Sequence, residues 1–509
     1  LTEIDREFFK DQGIQLAPGP KELMNMQRFY LYLNLTKPSE SLCLSYSRSN
    51  GKGEAVGPAF LIRTIQTLFP EIHTECAEKP EKELDLLETP DTSVGYLLEN
   101  LTDEERRKGN QLFAELYSWY LNSPDYGTMT KKLTEAAFLR KPVDQISKSV
   151  AKALYGEISP NGATRLERFS ACAFAHFLKY GLELTERAEY EFRAMDMGNI
   201  IHQALEDFAV ELRQKQLNWR ELSDEERDAI ADNCLDKIAA DYGNTILQSS
   251  ARNHYMIERT RRILRRTVWA LQEQLKNGRF EPEGFEVAIG GGRIDRLDVM
   301  QEEDKVYVKI IDYKTGNTSF DLVSIYYGLQ MQLVVYMDAA MQAEQRKHPD
   351  CQVRPAGIFY YNVKDPMLQK EMEEDLDELD PEIFKKLKMN GLVMDDRDVI
   401  EKLDRTTISL PLSYTTKGAL RKGSSVASET EFELLDAYVK KKITDIRESI
   451  LDGNTEAAPY EMGNRNACTY CPYQGTCGFD RKIPGYEFRR LKQFADEEIW
   501  KAFAKEVED

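Results

Sequence analysis

The sequence predicts an α/β (α+β) fold whose core is a small mixed sheet flanked by helices. The first observation is a group of alternating strands between residues 285 and 313. The second is the helical spacing of apolar residues before and after these strands. The third is the order helix, antiparallel strands, helix, strand, which is typical of such a core. A chain of 509 residues predicts two to four domains, at roughly 100–200 residues per domain.

The first 165 residues are predicted to be mixed α/β with helices dominant. Residues 41–47 alternate and predict a strand. Residues 58–69 have helical spacing and begin with Pro, which suits a first helical turn. Residues 102–121 predict one long helix. The sequence has no G-x-x-x-x-G-K-[ST] loop, so we expect no ATP site within this chain.

The character of the chain changes near Ser170. A compact aromatic and apolar stretch, 169–184, precedes an amphipathic helix at 197–213. One face of that helix carries four recurring apolar residues: Ile201, Leu205, Phe208 and Leu212. Helices continue to about residue 276, and the later segments are strands 285–289, 293–300 and 306–313 with a glycine turn at 290–292, helix 329–341, strand 357–361 and an acidic helical insertion at about 366–405.

The charge of the chain limits the classes of partner. A net charge of −19 argues against a general polyanion binder, although a basic channel remains compatible with it. The most basic stretch is residues 258–269, in which Arg261, Arg262, Arg265 and Arg266 would share a helix face. Two interpretations stay open, a solvated helix face or a wall that contacts phosphates.

The apolar segments, the first residues and the scattered cysteines of the chain suggest a cytoplasmic protein. No apolar run approaches the roughly 20 residues that span a bilayer, and no signal peptide opens the chain. The first residue is Leu1, so we expect the C-terminal part of a longer protein. Four scattered cysteines are interpreted as ordinary thiols: Cys43, Cys76, Cys234 and Cys351.

Residues 292–316 contain a pair of acids and a lysine. Alternation along a strand places Asp312 and Lys314 on one face, and antiparallel pairing brings Asp295 close to Asp312. Hard carboxylate oxygens hold Mg²⁺, which activates water and offsets charge on a phosphate. A D-x-K sequence is common in surface hairpins. Here it ends an apolar strand and follows a G-x-I-D strand, which favours a site for phosphodiester hydrolysis.

A cluster of cysteines lies near the end of the chain. Cys468, Cys471 and Cys477 are separated by two and five residues. Three thiolates in ten residues predict a metal or cluster site, with Cys172 as the candidate fourth ligand. This ligand set would close a long loop around the segment between Cys172 and Cys468. The spacing leaves zinc and an iron–sulfur cluster open.

These motifs resemble the RecB-like branch of the PD-(D/E)XK nucleases. Residues 198–205, GNIIHQAL, are similar to its upstream helix motif, and residues 328–336, GLQMQLVVY, to its Q-x-x-x-Y helix. The resemblance implies that His202 and the Tyr313 carbonyl join Asp295 and Asp312 as metal ligands. It also implies a catalytic set that comprises Asp295, Asp312, Lys314, Gln332 and Tyr336.

The four cysteines resemble the [4Fe–4S] staple of the AddB family, which forms part of the AddAB helicase–nucleases. Residues 170–186 are similar to the cysteine-containing entry of that family's nuclease domain, with Ala173 where the family usually has Pro. Residues 13–47 resemble the end of its helicase-like region. The resemblance implies a helicase-like part at 1–165, a nuclease domain with the cluster at 166–485 and a helical tail at 486–509.

The same resemblance implies a function. A member of this family is an Mg²⁺-dependent DNA exonuclease that pairs as a heterodimer with an ATP-driven AddA-type protein. It resects double-strand breaks for recombinational repair and acts on single-stranded DNA from unwound duplex, where it is expected to cut the 5′-ended strand. Two alternatives stay open, a non-catalytic DNA-binding scaffold and a stand-alone CRISPR-associated exonuclease with an iron–sulfur cluster.

Overall fold

The computed structural model of the chain describes residues 3–50, 55–75, 87–141, 144–156, 162–187, 192–242, 247, 249–289, 292–366 and 376–508. Cys76 and the predicted glycine turn at 290–291 lie outside these residues. The chain divides into two compact units, Leu1–Ala137 and Phe138–Asp509. The domain boundary near residue 165 stays a prediction. The described helices include none with the length and hydropathy needed to cross a membrane.

The first unit is built from helices in the ranges that the structure describes. These are α1 (Glu3–Asp11), α2 (Pro20–Thr36), α3 (Phe60–Leu68), α4 (Pro90–Thr102), α5 (Glu104–Arg107), α6 (Gln111–Asn122) and α7 (Gly127–Ala137). A small core forms around Leu97 of α4 and Tyr120 of α6, both fully buried. Helix α3 confirms the helix predicted at 58–69, although Pro58 precedes its first turn.

Two predictions for this unit are wrong. Residues 41–47 form no strand, because no segment of the described chain pairs with their backbone. The long helix predicted at 102–121 is broken into α5 and α6. Gly109 adopts a left-handed φ of +73°, and the Asn110 side chain accepts a hydrogen bond from Phe113 N at 2.9 Å. A residue in this conformation ends a helix, and Asn110 starts the next one as its N-cap.

The second unit contains a six-stranded sheet and many helices. Its helices are α8 (Lys148–Tyr155), α9 (Ala163–Ala171), α10 (Ala173–His176), a π-helix (Phe177–Gly181), α11 (Ala194–Lys215), α12 (Asp224–Asp241), α13 (Ala251–Asn277), α14 (Leu322–Tyr326), α15 (Gln332–Lys347), α16 (Leu376–Lys386), α17 (Arg397–Leu403), α18 (Glu429–Leu451), α19 (Gln474–Cys477) and α20 (Asp496–Glu508). Its strands are β1 (Glu281–Ile289), β2 (Gly292–Glu302), β3 (Lys305–Lys314), β4 (Gln352–Asn362), β5 (Asn390–Met394), β6 (Val426–Ala427), β7 (Tyr460–Met462), β8 (Arg465–Asn466) and β9 (Arg489–Arg490).

The main sheet is mixed, as predicted, with its strands in the order β1-β2-β3-β4-β5-β6. Strands β1, β2 and β3 pair antiparallel, and β3 pairs parallel with β4. That parallel pair requires a crossover, which α14 and α15 supply. A second sheet of three short strands has the order β8-β7-β9.

Helix α11 confirms the amphipathic helix predicted at 197–213. The four apolar residues named for its inner face, Ile201, Leu205, Phe208 and Leu212, are all buried in one large core. The helix also contacts α12, α13 and β1. Packing of this face fixes the rotation of α11, so that His202, one position further along, is directed away from the centre of the core and towards the sheet.

The segment at 366–405 is less helical than predicted. Its described part contains α16 and α17, but between them β5 pairs antiparallel with β4 in the main sheet. The buried run Leu392, Val393 and Met394 makes β5 an internal strand. A buried apolar run of this length has no periodicity of its own, so the sequence could not separate it from the neighbouring helices.

The four arginines of α13 bind acidic side chains. Arg261 and Arg265 pair with Asp232, Arg262 pairs with Asp365 at 2.5 Å, and Arg266 pairs with Asp380 at 2.9 Å. The charge of each guanidinium is thus already offset within the protein. This favours the solvated helix face over the wall that contacts phosphates.

Candidate active site

Three carboxylates lie in a row across three neighbouring strands. In β1 and β2 the pairs Phe285–Arg296 and Val287–Ile294 flank Glu286 and Asp295, which therefore stand opposite each other. In β2 and β3 the pair Arg296–Ile311 places Asp295 next to Asp312. Directly opposed residues of antiparallel strands share a face. The row Glu286, Asp295 and Asp312 is thus set by strand register.

His202 approaches this row from α11. Its Nδ1 lies 3.4 Å from Glu286 Oε1 and 3.5 Å from Asp295 Oδ2. Its Nε2 lies 3.1 Å from the backbone carbonyl oxygen of Tyr313. Tyr313 in turn donates its backbone N–H to Asp295 Oδ2 at 2.7 Å. The structure brings together His202, Asp295 and the Tyr313 carbonyl, and strand register places Asp312, the fourth predicted ligand, next to Asp295.

The charges of the row are only partly compensated by the protein. Burial raises the pKa of Asp295 to about 7, and the nearby charge of Asp312 adds to this effect. Burial likewise raises the pKa of Asp312, although Lys314 opposes the shift. Burial disfavours protonation of His202, but the hydrogen bond to Glu286 and the charge of Asp295 outweigh it and raise its pKa. Buried carboxylates whose negative charge is only partly compensated favour a bound cation.

Lys314 lies beside the row. Its Nζ contacts Asp312 Oδ2 and lies 3.5 Å from Gln332 Oε1. Gln332 Nε2 donates to Tyr336 Oη at 3.0 Å, so both residues of the predicted Q-x-x-x-Y helix reach the site. Burial works against the charged ammonium, but Asp312 outweighs it and raises the pKa of Lys314. Lys314 is therefore a cation at neutral pH, which suits charge stabilisation and not general-base catalysis.

The donor set fits a hard divalent cation. Among the described residues, the one group of three metal-ligating side chains whose donor atoms all lie within 4.8 Å of one another is His202, Glu286 and Asp295. Two carboxylates, an imidazole and the nearby Tyr313 carbonyl offer mainly oxygen ligands, which Mg²⁺ and Mn²⁺ prefer. The arrangement is a candidate acidic metal centre with a lysine at its edge.

Residues 162–478 match the PD-(D/E)XK nuclease superfamily, and they make up more than half of the chain. The chain belongs to the PD-(D/E)XK nuclease superfamily. Its D-x-K element is Asp312–Lys314, at the end of the central strand β3. The predicted nuclease fold is thereby confirmed.

Curated relatives of this PD-(D/E)XK chain are named as a subunit of an ATP-dependent helicase/deoxyribonuclease. That of Lachnoclostridium phytofermentans is 38% identical over 100% of this chain and 46% of its own length. Those of Alkaliphilus oremlandii and Thermoanaerobacter sp. are 32% and 31% identical over 100% of this chain and cover 47% and 46% of their own lengths. The chain spans about half the length of the curated relatives it matches.

Two acidic residues that contact the predicted site residues had no role predicted from the sequence. Glu286 lies in a predicted strand but has no predicted role. A hairpin centred between residues 290 and 291 pairs position 286 with 295, so symmetry about the glycine turn was an available signal. Glu286 also has a φ of +47°, which is rare for a residue other than Gly, Asn or Asp. The second residue is Glu167 of α9, which contacts α15 across a long sequence separation and gave no local signal.

The four predicted cluster cysteines lie close to one another. Burial raises the pKa of Cys468 to about 11, and the sulfurs of Cys172, Cys471 and Cys477 contribute to this shift. Burial also raises the pKa of the Cys172 thiol, again with the sulfurs of Cys471 and Cys477 nearby. Such a group of half-buried thiols fits a metal or cluster that binds thiolates.

Contacts within the protein already join the two cysteine segments. Cys172 and Cys471 pack against a small core of Ala175, Leu178 and Tyr473. Tyr473 Oη donates to the Leu184 carbonyl at 2.9 Å, and Arg489 donates to the Ser170 carbonyl. The segments before and after the nuclease sheet are therefore held together at this point.

Proposed function

We propose that this chain is the nuclease part of a helicase–nuclease subunit and hydrolyses DNA with Mg²⁺. The observation that carries the proposal is the group His202, Glu286 and Asp295, whose donor atoms lie within 4.8 Å of one another, with Asp312 next to Asp295 and Lys314 beside Asp312. The residues assigned to the metal are His202, Asp295, Asp312 and the Tyr313 carbonyl. Glu286 is added as a further ligand, since its carboxylate lies beside His202 Nδ1.

The protein's own residues prepare the site for a phosphodiester. When bound, a divalent cation activates water and offsets the negative charge of the phosphate. Lys314 stays protonated next to Asp312 and adds positive charge where the transition state gains negative charge. Gln332 and Tyr336 form a chain of polar groups that limits the positions open to the Lys314 ammonium. His202 joins the two strands that carry the acids to α11.

The wider role rests on the relatives' name, which includes both a helicase and a deoxyribonuclease. We infer that an AddA-type protein supplies the ATP-driven motor, from the resemblance to the AddB family and from the relatives' name as one subunit of a helicase/deoxyribonuclease. The substrate is then single-stranded DNA from unwound duplex, and the proposed product is a resected double-strand break. We further propose that the 5′-ended strand is cut and that residues 1–165 belong to a helicase-like region.

We propose a [4Fe–4S] cluster on Cys172, Cys468, Cys471 and Cys477. One zinc ion with Zn–S distances of about 2.3 Å would bring its thiolates to about 3.8 Å from one another. No such group of cysteines lies within 4.8 Å in the described part of the chain, although the four thiols interact electrostatically. We choose the cluster over a single zinc ion because the four cysteines resemble the [4Fe–4S] motif of the AddB family.

The cluster proposal is tested by Cys471→Ala, with Cys351→Ala as the matched control. We expect Cys471→Ala to lose iron and sulfide and to melt at a lower temperature, because the cluster joins segments on both sides of the nuclease sheet. Zinc in place of iron in the purified wild type, or an unchanged melting temperature in Cys471→Ala, would refute the proposed staple.

The nuclease proposal is tested by degradation of single-stranded DNA in the presence of Mg²⁺ and of EDTA. Wild-type protein is compared with Asp312→Ala and with Asp350→Ala, which removes an exposed carboxylate distant in sequence from the row. We expect Mg²⁺-dependent cleavage by the wild type and the control, and loss on the order of 10³-fold in Asp312→Ala. Cleavage by Asp312→Ala at the wild-type rate would contradict the assigned site.

The same assay separates the remaining alternatives. A folded, iron-loaded wild type that cuts no DNA, alone or with an AddA-type motor protein, would favour a non-catalytic scaffold. Cleavage only when the motor protein and ATP are present would support the helicase–nuclease assignment over a stand-alone exonuclease. The complete set of Asp295, Asp312 and Lys314 favours catalysis over the scaffold.

A further inference from the structure

Glu167 lies on α9, the helix that ends next to Cys172, and reaches the first turn of α15. Its Oε1 accepts hydrogen bonds from the backbone N–H groups of Met331 at 2.6 Å and Gln332 at 2.9 Å. Met331 and Gln332 follow Glu167 in the sequence by 164 and 165 residues. Glu167 therefore connects the segment that carries Cys172 to the helix that carries Gln332.

The start of α15 lacks a cap of its own. Met331 occupies the N-cap position and offers no hydrogen-bonding side chain. The first turn of a helix has backbone N–H groups without partners, and a side-chain oxygen normally accepts from one of them. Glu167 supplies that oxygen from another helix, and its negative charge is favourable at a helix N-terminus.

The capped turn leads directly to the active site. The Gln332 side chain lies 3.5 Å from Lys314 Nζ and donates to Tyr336. Burial raises the pKa of Glu167 to about 7, the two backbone N–H groups oppose the shift, and both Lys314 and Asp312 are near enough to influence it. The backbone of Gln332 is thus held from one side by Glu167 while its side chain contacts Lys314 on the other.

We propose that Glu167 is a positioning residue for DNA hydrolysis, because it holds the first turn of α15 and so fixes Gln332 against Lys314. The inference rests on the proposed nuclease function. Glu167 holds the turn through its two hydrogen bonds from Met331 N and Gln332 N, which the carbonyl oxygen of a glutamine can also accept. Helix α9 then connects Cys172 directly to α15, the helix that carries Gln332.

The test compares Glu167→Ala, Glu167→Gln and the control Asp404→Ala. Asp404 is also buried and accepts backbone hydrogen bonds, from Thr406 N at 2.8 Å and Ser409 N at 2.9 Å. We expect Glu167→Ala to lower kcat by roughly 10–100-fold with KM changed less than about twofold, since a shift of about 1 Å near the reacting atoms has effects of this size. Glu167→Gln should recover kcat to within about threefold, and Asp404→Ala should keep it.

Two further measurements separate positioning from loss of structure. Hydrogen exchange at the Met331 and Gln332 amides should rise at least about tenfold in Glu167→Ala and return towards wild type in Glu167→Gln. Iron content per chain should match wild type in both variants. An unchanged kcat in Glu167→Ala, a Glu167→Gln variant as inactive as Glu167→Ala, or loss of iron from Glu167→Ala would overturn the proposal.

Failure of the proposed function gives a different result. If the wild type cuts no DNA under any condition, the nuclease proposal fails while the exchange measurement still decides whether Glu167 holds α15. Unchanged exchange in Glu167→Ala would then overturn the inference by itself.

Discussion

The two faces of the β2–β3 hairpin carry buried charges in opposite ways. On one face, Asp295 and Asp312 stand side by side. On the other, Asp298 lies 2.6 Å from both Arg296 Nε and Lys309 Nζ, and all three side chains are almost fully buried. Residues 295 and 298 are three positions apart in one strand, so the alternation of the sheet separates two charge environments within one hairpin.

The difference between the two faces lies in how the charges are compensated. Burial alone would raise the pKa of Asp298, but Arg296 and Lys309 outweigh it and hold the pKa below its ordinary value. Burial raises the pKa of Asp295 to about 7. A fully paired group keeps its charge and ties β2 to β3, whereas an incompletely paired group destabilises the fold until a cation arrives. The face that carries Asp298 (the reverse face) therefore has compensated charges that stabilise the hairpin, whereas the face that carries Asp295 and Asp312 is a candidate site for a cation.

The largest expected effect is a loss of activity in Lys314→Ala, on the face that carries Asp295 and Asp312. Loss of its positive charge should lower kcat by about 10²–10³-fold, because a charge that meets the transition state is removed. Urea should also unfold this variant more easily than the wild type in the absence of Mg²⁺, because the Asp312 carboxylate, only 2% exposed, loses its cationic partner. A kcat close to that of the wild type would contradict the assigned role.

A smaller effect is expected on the reverse face from Asp298→Asn. This change leaves Arg296 and Lys309 buried without their shared carboxylate, which should lower the free energy of unfolding by about 3 kcal/mol. The folded variant should retain its kcat, because Asp298 faces away from the metal ligands. Urea denaturation measures the first quantity and steady-state cleavage the second. A drop in kcat without a loss of stability would break the distinction between the faces.

The smallest expected effect is a dependence of stability on pH in EDTA-treated protein. The folded pKa of Asp295, about 7, lies above its unfolded value. Protonation of Asp295 therefore adds to the free energy of unfolding. This contribution is fully present below the unfolded pKa of about 4 and is lost as pH rises through the folded pKa. Wild-type protein should lose on the order of 1–2 kcal/mol more than Asp295→Asn between about pH 5 and pH 8. Identical pH profiles for the two proteins would contradict the uncompensated state of Asp295.

Much of this site could be predicted because its signals are local. The alternation of β2 and β3 placed Asp295, Asp312 and Lys314 together, whereas His202 was predicted from the resemblance of its helix to the RecB-like motif. Glu286 follows the same logic, since the register of β1 and β2 relates it to Asp295, but an acid in a first strand has no motif of its own. The positions of Asp295, Asp312, Lys314 and Glu286 depend only on strand alternation and hairpin register.

The parts that could not be predicted depend on distant contacts. Glu167 acts on α15 from 164 residues away, and no spacing rule connects the two. Strand β5 is an isolated apolar run that only its pairing with β4 identifies as a strand. The predicted strand at 41–47 failed for the reverse reason, since alternation without a partner strand leaves the backbone unpaired. The iron–sulfur cluster stays a prediction that the cysteine geometry supports.

The central claim is that the row of Glu286, Asp295 and Asp312 is a cation site. Titration calorimetry with Mg²⁺ at neutral pH tests this claim most directly. Wild-type protein, Asp295→Asn and the reverse-face variant Asp298→Asn are compared after EDTA treatment, at a temperature at which all three are folded. We expect Mg²⁺ to bind the wild type and Asp298→Asn with similar affinity, and Asp295→Asn at least about tenfold more weakly. Binding by Asp295→Asn equal to that of the wild type, or no binding by the wild type, would contradict the claim.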